Sequence, residues 1–367
     1  KSSIDFPALF GSALVDRFKQ FSCRFTVLAE PKLFQANIFP REEPGITIDG
    51  YLWARTITCP YCSGLVPLSP NWKLSNDGRG VRVIANTGTR RCTFEMVGSA
   101  SEQSPGTVKK GSGLCPFPGC GRVIDGDDIK QQAQAGHMGD QLYAVVYKQT
   151  QVVGKTKTGK DKTKSVRGFR APRPEDDMSQ RVSQYLAEKM PEWEARNIVP
   201  SELYPTGTND ERPLQYGMPL WRDMFSPRQL IGHCTSVEVF HDLVDELRKE
   251  NGGEISDLDR AALTYLAIAI DKLLNYNARM VRWHSKREVV AGVFDRHDFS
   301  FKWSYAEMAP TITGLGYDWA IEQTGKALEE LIELTGGGPG FFNTNRDKDS
   351  ITITNGSGDS LSLDDAS

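Results

Sequence analysis

Cys59-Pro60-Tyr61-Cys62 and Cys115-Pro116-Phe117-Pro118-Gly119-Cys120 are the two stretches on which the reading of this chain turns. Each holds two sulfurs on a segment short enough to form one tight turn, and two such turns brought face to face supply the four thiolates of a tetrahedral zinc site. The expectation is a structural zinc on Cys59, Cys62, Cys115 and Cys120, in a zinc ribbon. Two other chemistries compete for the same residues. Cys-Pro-Tyr-Cys is also an oxidoreductase dithiol, which needs its first cysteine at the start of a helix that lowers its pKa. Pro67 and Pro70 follow too soon for such a helix. Phe117-Pro118-Gly119-Cys120-Gly121 matches the F-x-G-x-G loop of S-adenosylmethionine sites, but no apolar strand leads into it. Cys23, Cys92 and Cys234 read as buried or bystander thiols, with Cys92, between the two pairs, left open as a further ligand.

Outward from the first turn, Tyr51-Leu52-Trp53-Ala54-Arg55-Thr56-Ile57-Thr58 alternates as a strand. Residues 80–85 and 91–97 predict two more. The Ser-, Gly- and Pro-rich residues 99–113 read as a mobile loop returning to the second turn, and residues 142–147 as a further strand. Together they make a β-rich zinc-ribbon unit over residues 51–150. Before it, Phe6, Leu9, Phe10, Ala13, Leu14, Phe18 and Phe21 recur at helical spacing across residues 5–32, while Pro40, Pro44 and Gly45 mark a loop over 36–50. Residues 1–50 are thus assigned to a helix and loop of an incomplete flanking domain.

The C-terminal half reads as helical. Residues 175–197 predict a helix whose first turn, with Glu175, Asp176 and Asp177, suits the helix dipole. At Ser226-Pro227-Arg228-Gln229 the serine caps, the proline takes the first helical position and the glutamine completes a capping box; Asn251-Gly252-Gly253 stops that helix. Residues 258–282 form the longest apolar helical pattern, and residues 316–334 another. The segments are then a basic arm and linker with one helix (151–225), a helical subdomain (226–335), and a linker with a returning strand (336–367). That last segment opens on Gly336-Gly337-Gly338-Pro339-Gly340 and contains Ser350-Ile351-Thr352-Ile353-Thr354. The fold class is α+β: a small β-rich zinc-ribbon unit followed by a helical subdomain.

At 367 residues, 39% hydrophobic and 25% charged, the chain has the composition of a globular protein with room for two or three domains. A net charge of -3 means that any nucleic-acid surface must be local. The local charge is at Lys155, Lys157, Lys160, Lys162, Lys164, Arg167 and Arg170, with Asp161 the acid among them and Gly154 and Gly159 as turn points. This pattern predicts a β-hairpin arm with a basic tip, which gains from counterion release on DNA phosphates. Few aromatic residues interleave, so it would grip the backbone rather than stack on bases. The plain alternative is a solvated, lysine-rich tip. No run of about 18 apolar residues exists to span a membrane. Seven cysteines, four of them in paired spacing, fit a reducing cytoplasm better than a disulfide scaffold. Lys1-Ser2-Ser3-Ile4-Asp5 is neither a start methionine nor a secretory leader, so the chain is expected to begin inside a longer protein.

Several segments together resemble the bacterial and archaeal adenine-specific DNA methylases that contain a zinc ribbon. They are Tyr51-Leu52-Trp53-Ala54-Arg55-Thr56 with the two cysteine pairs, Gly106-Thr107-Val108, Gly126-Asp127-Asp128-Ile129, Ala135-Gly136-His137-Met138-Gly139-Asp140, Leu142-Tyr143-Ala144-Val145-Val146, Tyr216-Gly217-Met218, Phe225-Ser226-Pro227-Arg228-Gln229-Leu230 and Trp303-Ser304-Tyr305-Ala306-Glu307. The resemblance implies transfer of methyl from S-adenosylmethionine to the adenine amino group by the full-length parent, within a restriction or phage-defence system, with DNA and other defence proteins as partners. The chain departs from the family in having no Pro-Pro dipeptide, hence no Asp-Pro-Pro-Tyr motif, and no strand leading into a glycine-rich cofactor loop. It is therefore expected to be the DNA-recognition and structural section, inserted in or flanking an incomplete α/β methyltransferase domain, with structural zinc and no catalytic residues of its own. The alternatives are a stand-alone zinc-ribbon binding module and a Cys59/Cys62 oxidoreductase. His137 reads as a loop residue, and His284, His297 and Asp298 as surface or structural groups, since neighbours on a strand face opposite ways.

Overall fold

The computed structural model describes residues 5–40, 42–155, 158–207, 210–295 and 301–335, together with Ile353–Thr354 and Ser360–Leu361. Its helices are α1 (Phe6–Phe10), α2 (Ser12–Ala36), α3 (Gly126–Gln134), α4 (Ser179–Ala195), α5 (Arg212–Gln215), α6 (Pro227–Glu250), α7 (Asp257–Lys272) and α8 (Tyr317–Leu334). Its strands are β1 (Ile46–Thr58), β2 (Leu65–Leu68), β3 (Gly80–Asn86), β4 (Arg91–Val97), β5 (Val108–Lys109), β6 (Ser112–Leu114), β7 (Val123–Ile124), β8 (Gly139–Lys155), β9 (Asp161–Arg170), β10 (Arg282–His284), β11 (Val289–Ala291), β12 (Ser304–Glu307), β13 (Ile353–Thr354) and β14 (Ser360–Leu361). The class is mixed α+β. Two units form, neither continuous in sequence: Lys1–Glu30 with Val239–Lys272 and Tyr317–Ser367, and Pro31–Glu238 with Leu273–Gly316. These boundaries differ from the contiguous segments read along the chain. One of them falls inside α2 at Pro31, where the missing N–H removes an intrahelical hydrogen bond.

In the first unit α2 buries Leu14, Phe18, Phe21 and Phe25, spaced four, three and four apart as one helix face requires. Phe25 meets Tyr317 edge-on at 5.1 Å between ring centres. Ala262, Leu266 and Ala269 of α7 are buried. Arg17 pairs with Asp259, and Arg24 with Glu246 and Glu250 at 2.7 Å each. The N-terminal helix thus forms, but as two pieces separated at Gly11, whose φ is 53°. The pattern expected to run to residue 282 stops at Lys272 and passes into a single turn of tighter helix, Leu273–Asn275. Asn277 explains the stop: its buried side-chain amide bonds the N–H and C=O of Met308, both at 3.1 Å, and draws the chain back to the β unit.

The second unit is built on an antiparallel sheet ordered β12-β1-β8-β9, with β2 on the same edge of β1 as β12. Strand β1 is shared along its length: residues 51–54 pair with β12 and residues 55–58 with β2, while β8 covers its other edge. It is buried on both faces through most of that length, as a central strand is. It starts at Ile46, inside the stretch expected as loop, because Thr47 and Ile48 find ladder partners on β8 that the local sequence does not reveal. Trp72, Phe94 and Tyr143 form the aromatic centre of the core, with Trp72 edge-on to Tyr143 at 5.3 Å. Residues 91–97 form β4 as expected, and it pairs with β3. Residues 99–113, read as a loop, contribute β5 and part of β6. Of the expected terminal strand, Ile353–Thr354 is described and pairs with Ser360–Leu361; Ser350 to Thr352 and the glycine run at 336–340 lie outside the described residues.

Helix α4 begins at Ser179, not at the acidic triplet. Asp176 is 1% exposed and serves Arg170 instead of the helix dipole. The capping box at α6 forms as expected: the Gln229 N–H donates to Ser226 Oγ at 3.1 Å, and the Ser226 N–H to Gln229 Oε1 at 2.9 Å.

One turn further along α6, His233 is buried with Nε2 2.8 Å from the Asn277 carbonyl, so Nε2 carries a proton and donates. Burial pushes the imidazole pKa down to about 4, against that hydrogen bond. The unfolded chain therefore takes up a proton near 6.5 and the folded chain near 4. Stability from this group is complete above about pH 6.5 and falls as the pH drops towards 4, by up to about 1.4 kcal/mol per pH unit. His233→Gln should flatten that part of the profile when urea midpoints are measured between these limits.

Candidate metal centre

Each cysteine pair sits at the tip of an antiparallel hairpin. Cys59 and Cys62 lie between β1 and β2, whose last rung joins Thr58 to Leu65; Cys115 and Cys120 lie between β6 and β7, where Leu114 faces Val123. Backbone hydrogen bonds close both turns. The Cys59 N–H donates to Gly64 O at 2.9 Å and the Ser63 N–H to Cys59 O at 2.9 Å; the Cys115 N–H donates to Arg122 O at 3.0 Å and the Cys120 N–H to Phe117 O at 3.1 Å. Gly119, between Cys115 and Cys120, has φ of 80°, and Ser63 and Gly121, each just after the second cysteine of its pair, have φ of 59° and 55°, the left-handed backbone that turns the chain back into its strand. Gly64 has a second role, because a Cβ there would lie 2.4 Å from the Phe117 ring of the opposite turn. Helix α3 braces the first turn: the Gln132 side chain accepts from the Thr58 N–H at 2.8 Å and donates to Thr58 O at 2.9 Å, as a paired strand would.

The four sulfurs come together within 4.8 Å of one another, with Cys59 to Cys120 at 3.8 Å and Cys62 to Cys115 at 3.6 Å. A tetrahedral ion at a metal–sulfur distance of about 2.3 Å requires sulfurs about 3.8 Å apart, which the Cys59–Cys120 and Cys62–Cys115 separations match, so the cluster could hold a metal ion. The thiols differ in their surroundings. Burial pushes Cys59 and Cys115 up, against backbone N–H groups of Tyr61 and Cys62 for the former and of Phe117 for the latter. The Arg122 N–H holds Cys120 below its ordinary value. Amides that already point at sulfur are what a bound, deprotonated thiolate needs.

Cys92, the open question of the sequence, is not part of the cluster. It is buried in β4, donates to Leu65 O at 3.7 Å, and burial pushes its thiol up to about 12. The Phe117–Gly121 segment is taken up by the second turn, with Cys120 in the cluster. It is therefore not a cofactor loop, and no step through S-adenosylmethionine is assigned to this chain.

Beyond the sheet, β8 and β9 continue as a two-stranded ribbon, paired from Val145–Arg170 out to Lys155–Asp161. From Gln149 outward on β8 and from Ser165 outward on β9, residues are exposed on both faces. Lys155, Lys160, Lys162 and Lys164 are exposed there, whereas Lys157 lies outside the described residues. Arg167 and Arg170 behave differently from the expected arm. Arg167 Nη2 is 2.9 Å from the buried Asp49, the extra residue of a bulge in β1. Arg170 is 2.6 Å from both Asp176 and Glu42, with 13% of its side chain exposed. Arg167 and Arg170 are thus held in ion pairs at the foot of the ribbon, unlike the exposed lysines further out. His137 is exposed in the turn before β8, as expected; His297 and Asp298 lie outside the described residues.

One group that the sequence reading passed over is central here. Arg228 is 4% and Glu307 1% exposed, and they form a two-pronged ion pair at 2.9 and 3.1 Å. In the sequence Arg228 and Glu307 stand in two separate segments of the family resemblance, with Arg228 also in the capping box, and nothing local pairs them. Among the described residues no helix is long and apolar enough to cross a membrane. Comparison of the chain with protein-family models, curated proteins and solved structures returned no match.

Proposed function

We propose that this chain is the zinc-organised, DNA-contacting section of an adenine-specific DNA methyltransferase of a restriction or phage-defence system, with catalysis carried by other parts of the parent. Zinc, when bound to Cys59, Cys62, Cys115 and Cys120, supplies a crosslink between two hairpins and does no chemistry on substrate. The observation that carries the DNA reading is the ribbon. Five lysines against one aspartate lie between Gln149 and Ser165 in the sequence, and the four described ones, Lys155, Lys160, Lys162 and Lys164, are exposed where the ribbon leaves the sheet. A two-stranded ribbon is narrow enough for the DNA major groove, and its cations displace condensed counterions. Arg167 and Arg170, held by Asp49, Asp176 and Glu42, fix where the ribbon leaves the sheet. The methyltransferase parentage rests on the sequence resemblance.

The test is duplex binding by fluorescence anisotropy across a salt series. Lys162→Glu/Lys164→Glu should weaken binding to every duplex sequence and lower the slope of log affinity on log salt by about two. An unchanged slope would refute phosphate contact by the ribbon, and methyl transfer by the chain alone would refute the division of labour.

A further inference from the structure

A cleft of about 410 Å³ opens in the second unit at the foot of the ribbon, within the range of about 300–1,000 Å³ typical of small-ligand sites. Lys73, Arg282, Lys286 and Lys302 line it together with Trp283 and Trp303, and among the described residues no carboxylate does. The indoles are fixed in place. Trp283 donates from Nε1 to Leu74 O at 2.7 Å and meets Phe169 of β9 edge-on at 6.0 Å between ring centres. Trp303 stands edge-on to Tyr216 at 5.2 Å and to Phe301 at 4.9 Å. Behind this wall Arg55, 1% exposed, lies 4.4 Å from the Phe301 ring centre, and its hydrogen bonds go to Lys302 O at 2.9 Å and Met218 Sδ at 3.7 Å. That guanidinium adds positive charge behind the aromatic wall.

Held aromatic rings beside clustered cations recognise a planar ring that carries negative charge. We propose that this cleft binds one unpaired nucleotide, its base against Trp283 and Trp303 and its phosphate on Lys73 and Lys286. The strand as its source rests on the DNA reading above; a free nucleotide has the same chemistry. The expectation of backbone gripping concerns the basic ribbon, and the cleft adds a base-stacking surface beside it. The ribbon itself is poor in aromatic rings, but Trp283 touches its base through Phe169 and carries the missing stacking function.

Lys73 and Lys286 are exposed, so reversing their charge leaves the core intact. The experiment uses the zinc-loaded full chain with three probes: fluorescein-labelled oligothymidylate, a blunt duplex, and deoxyadenosine monophosphate read by tryptophan quenching. Lys73→Glu/Lys286→Glu should weaken oligothymidylate binding by about tenfold or more while leaving duplex affinity within about twofold. Unchanged binding of both oligothymidylate and deoxyadenosine monophosphate in the variant, or equal losses on both DNAs, overturns the proposal. Saturable quenching by the mononucleotide, lost in the same variant, supports the site with free nucleotide as its source; quenching by oligothymidylate alone supports it with a strand as its source. If Lys162→Glu/Lys164→Glu leaves duplex binding intact while the cleft variant still loses the single strand, the ribbon reading fails and the cleft stands.

Discussion

Cys115→Ser is expected to abolish stoichiometric metal binding and to lower the thermal midpoint by about 10 °C. A metal on the four sulfurs would join turns far apart in the chain, with Cys62 and Cys115 separated by 53 positions. Treated as a crosslink closing a loop of that length, it removes about 4 kcal/mol of unfolded-chain entropy, and a stability change of that size shifts the midpoint of a unit of this length by roughly 8–16 °C. Metal–thiolate bonding adds to this figure, since apparent values of about 10–16 kcal/mol hold for small zinc domains. The entropic part alone already makes the effect large. Cys115 is 2% exposed within the main core, so the loss should spread to Phe117 and Ile124, which are buried beside it. Metal analysis and scanning calorimetry check the result, with chelator added to the parent chain as control. Chelation should reproduce the shift in the parent and add little in the variant. A variant that keeps one equivalent of zinc, or melts within about 2 °C of the parent, would remove the metal from the account of stability.

Glu307→Ala is expected to cost about 3–5 kcal/mol in urea unfolding, the range for stranding one partner of a buried ion pair. Glu307 accepts from Arg228 Nε and Nη2 and from Ser226 Oγ, at 2.9–3.1 Å. Arg228 also donates to Ile38 O at 3.2 Å and lies 4.2 Å from the centre of the Tyr51 ring. Burial pushes the Arg228 pKa down and Glu307 holds it up, so removing the carboxylate leaves this guanidinium buried without the partner that offsets its desolvation. Glu307→Gln keeps an acceptor but not the charge and should fall between the parent and the alanine variant. Arg228→Met/Glu307→Leu should recover much of the loss, because it removes both charges together. Alanine and parent chains unfolding at the same urea concentration would mean that water or a local shift satisfies Arg228.

The cysteine spacing was legible because each pair is a local object. Cys-x-x-Cys with a following Ser-Gly, and Cys-x4-Cys around Pro118-Gly119, specify turns within six residues, and both turns form. The capping box at Ser226 was legible for the same reason, as was the β8–β9 hairpin, whose turn residues and flanking apolar strands are near neighbours. The lysines and arginines of the arm looked alike in sequence. Their different roles come from Asp49, Glu42 and Asp176, and Glu42 is 128 positions from Arg170. Helix α7 was read too long because Leu273 and Leu274 continue its period, while the amide that ends the run is tied to Met308.

Two segments read separately, around Ser226–Gln229 and Trp303–Glu307, carry the sharpest example of this boundary. Arg228 and Glu307 lie 79 positions apart, and β12 pairing beside β1 brings them into one buried pair. The aromatic cleft arises the same way, from Lys73, Trp283 and Trp303 on separate stretches of chain. Turn chemistry, helix caps and side-chain periodicity act over a few residues, so the amino-acid order alone determined the cysteine turns, the hairpin arm and the helical stretches. Which charges are buried together, and which rings face one cleft, depends on strand register and on chain closure over many tens of residues. No short-range preference encodes that, and only the packed sheet decided it.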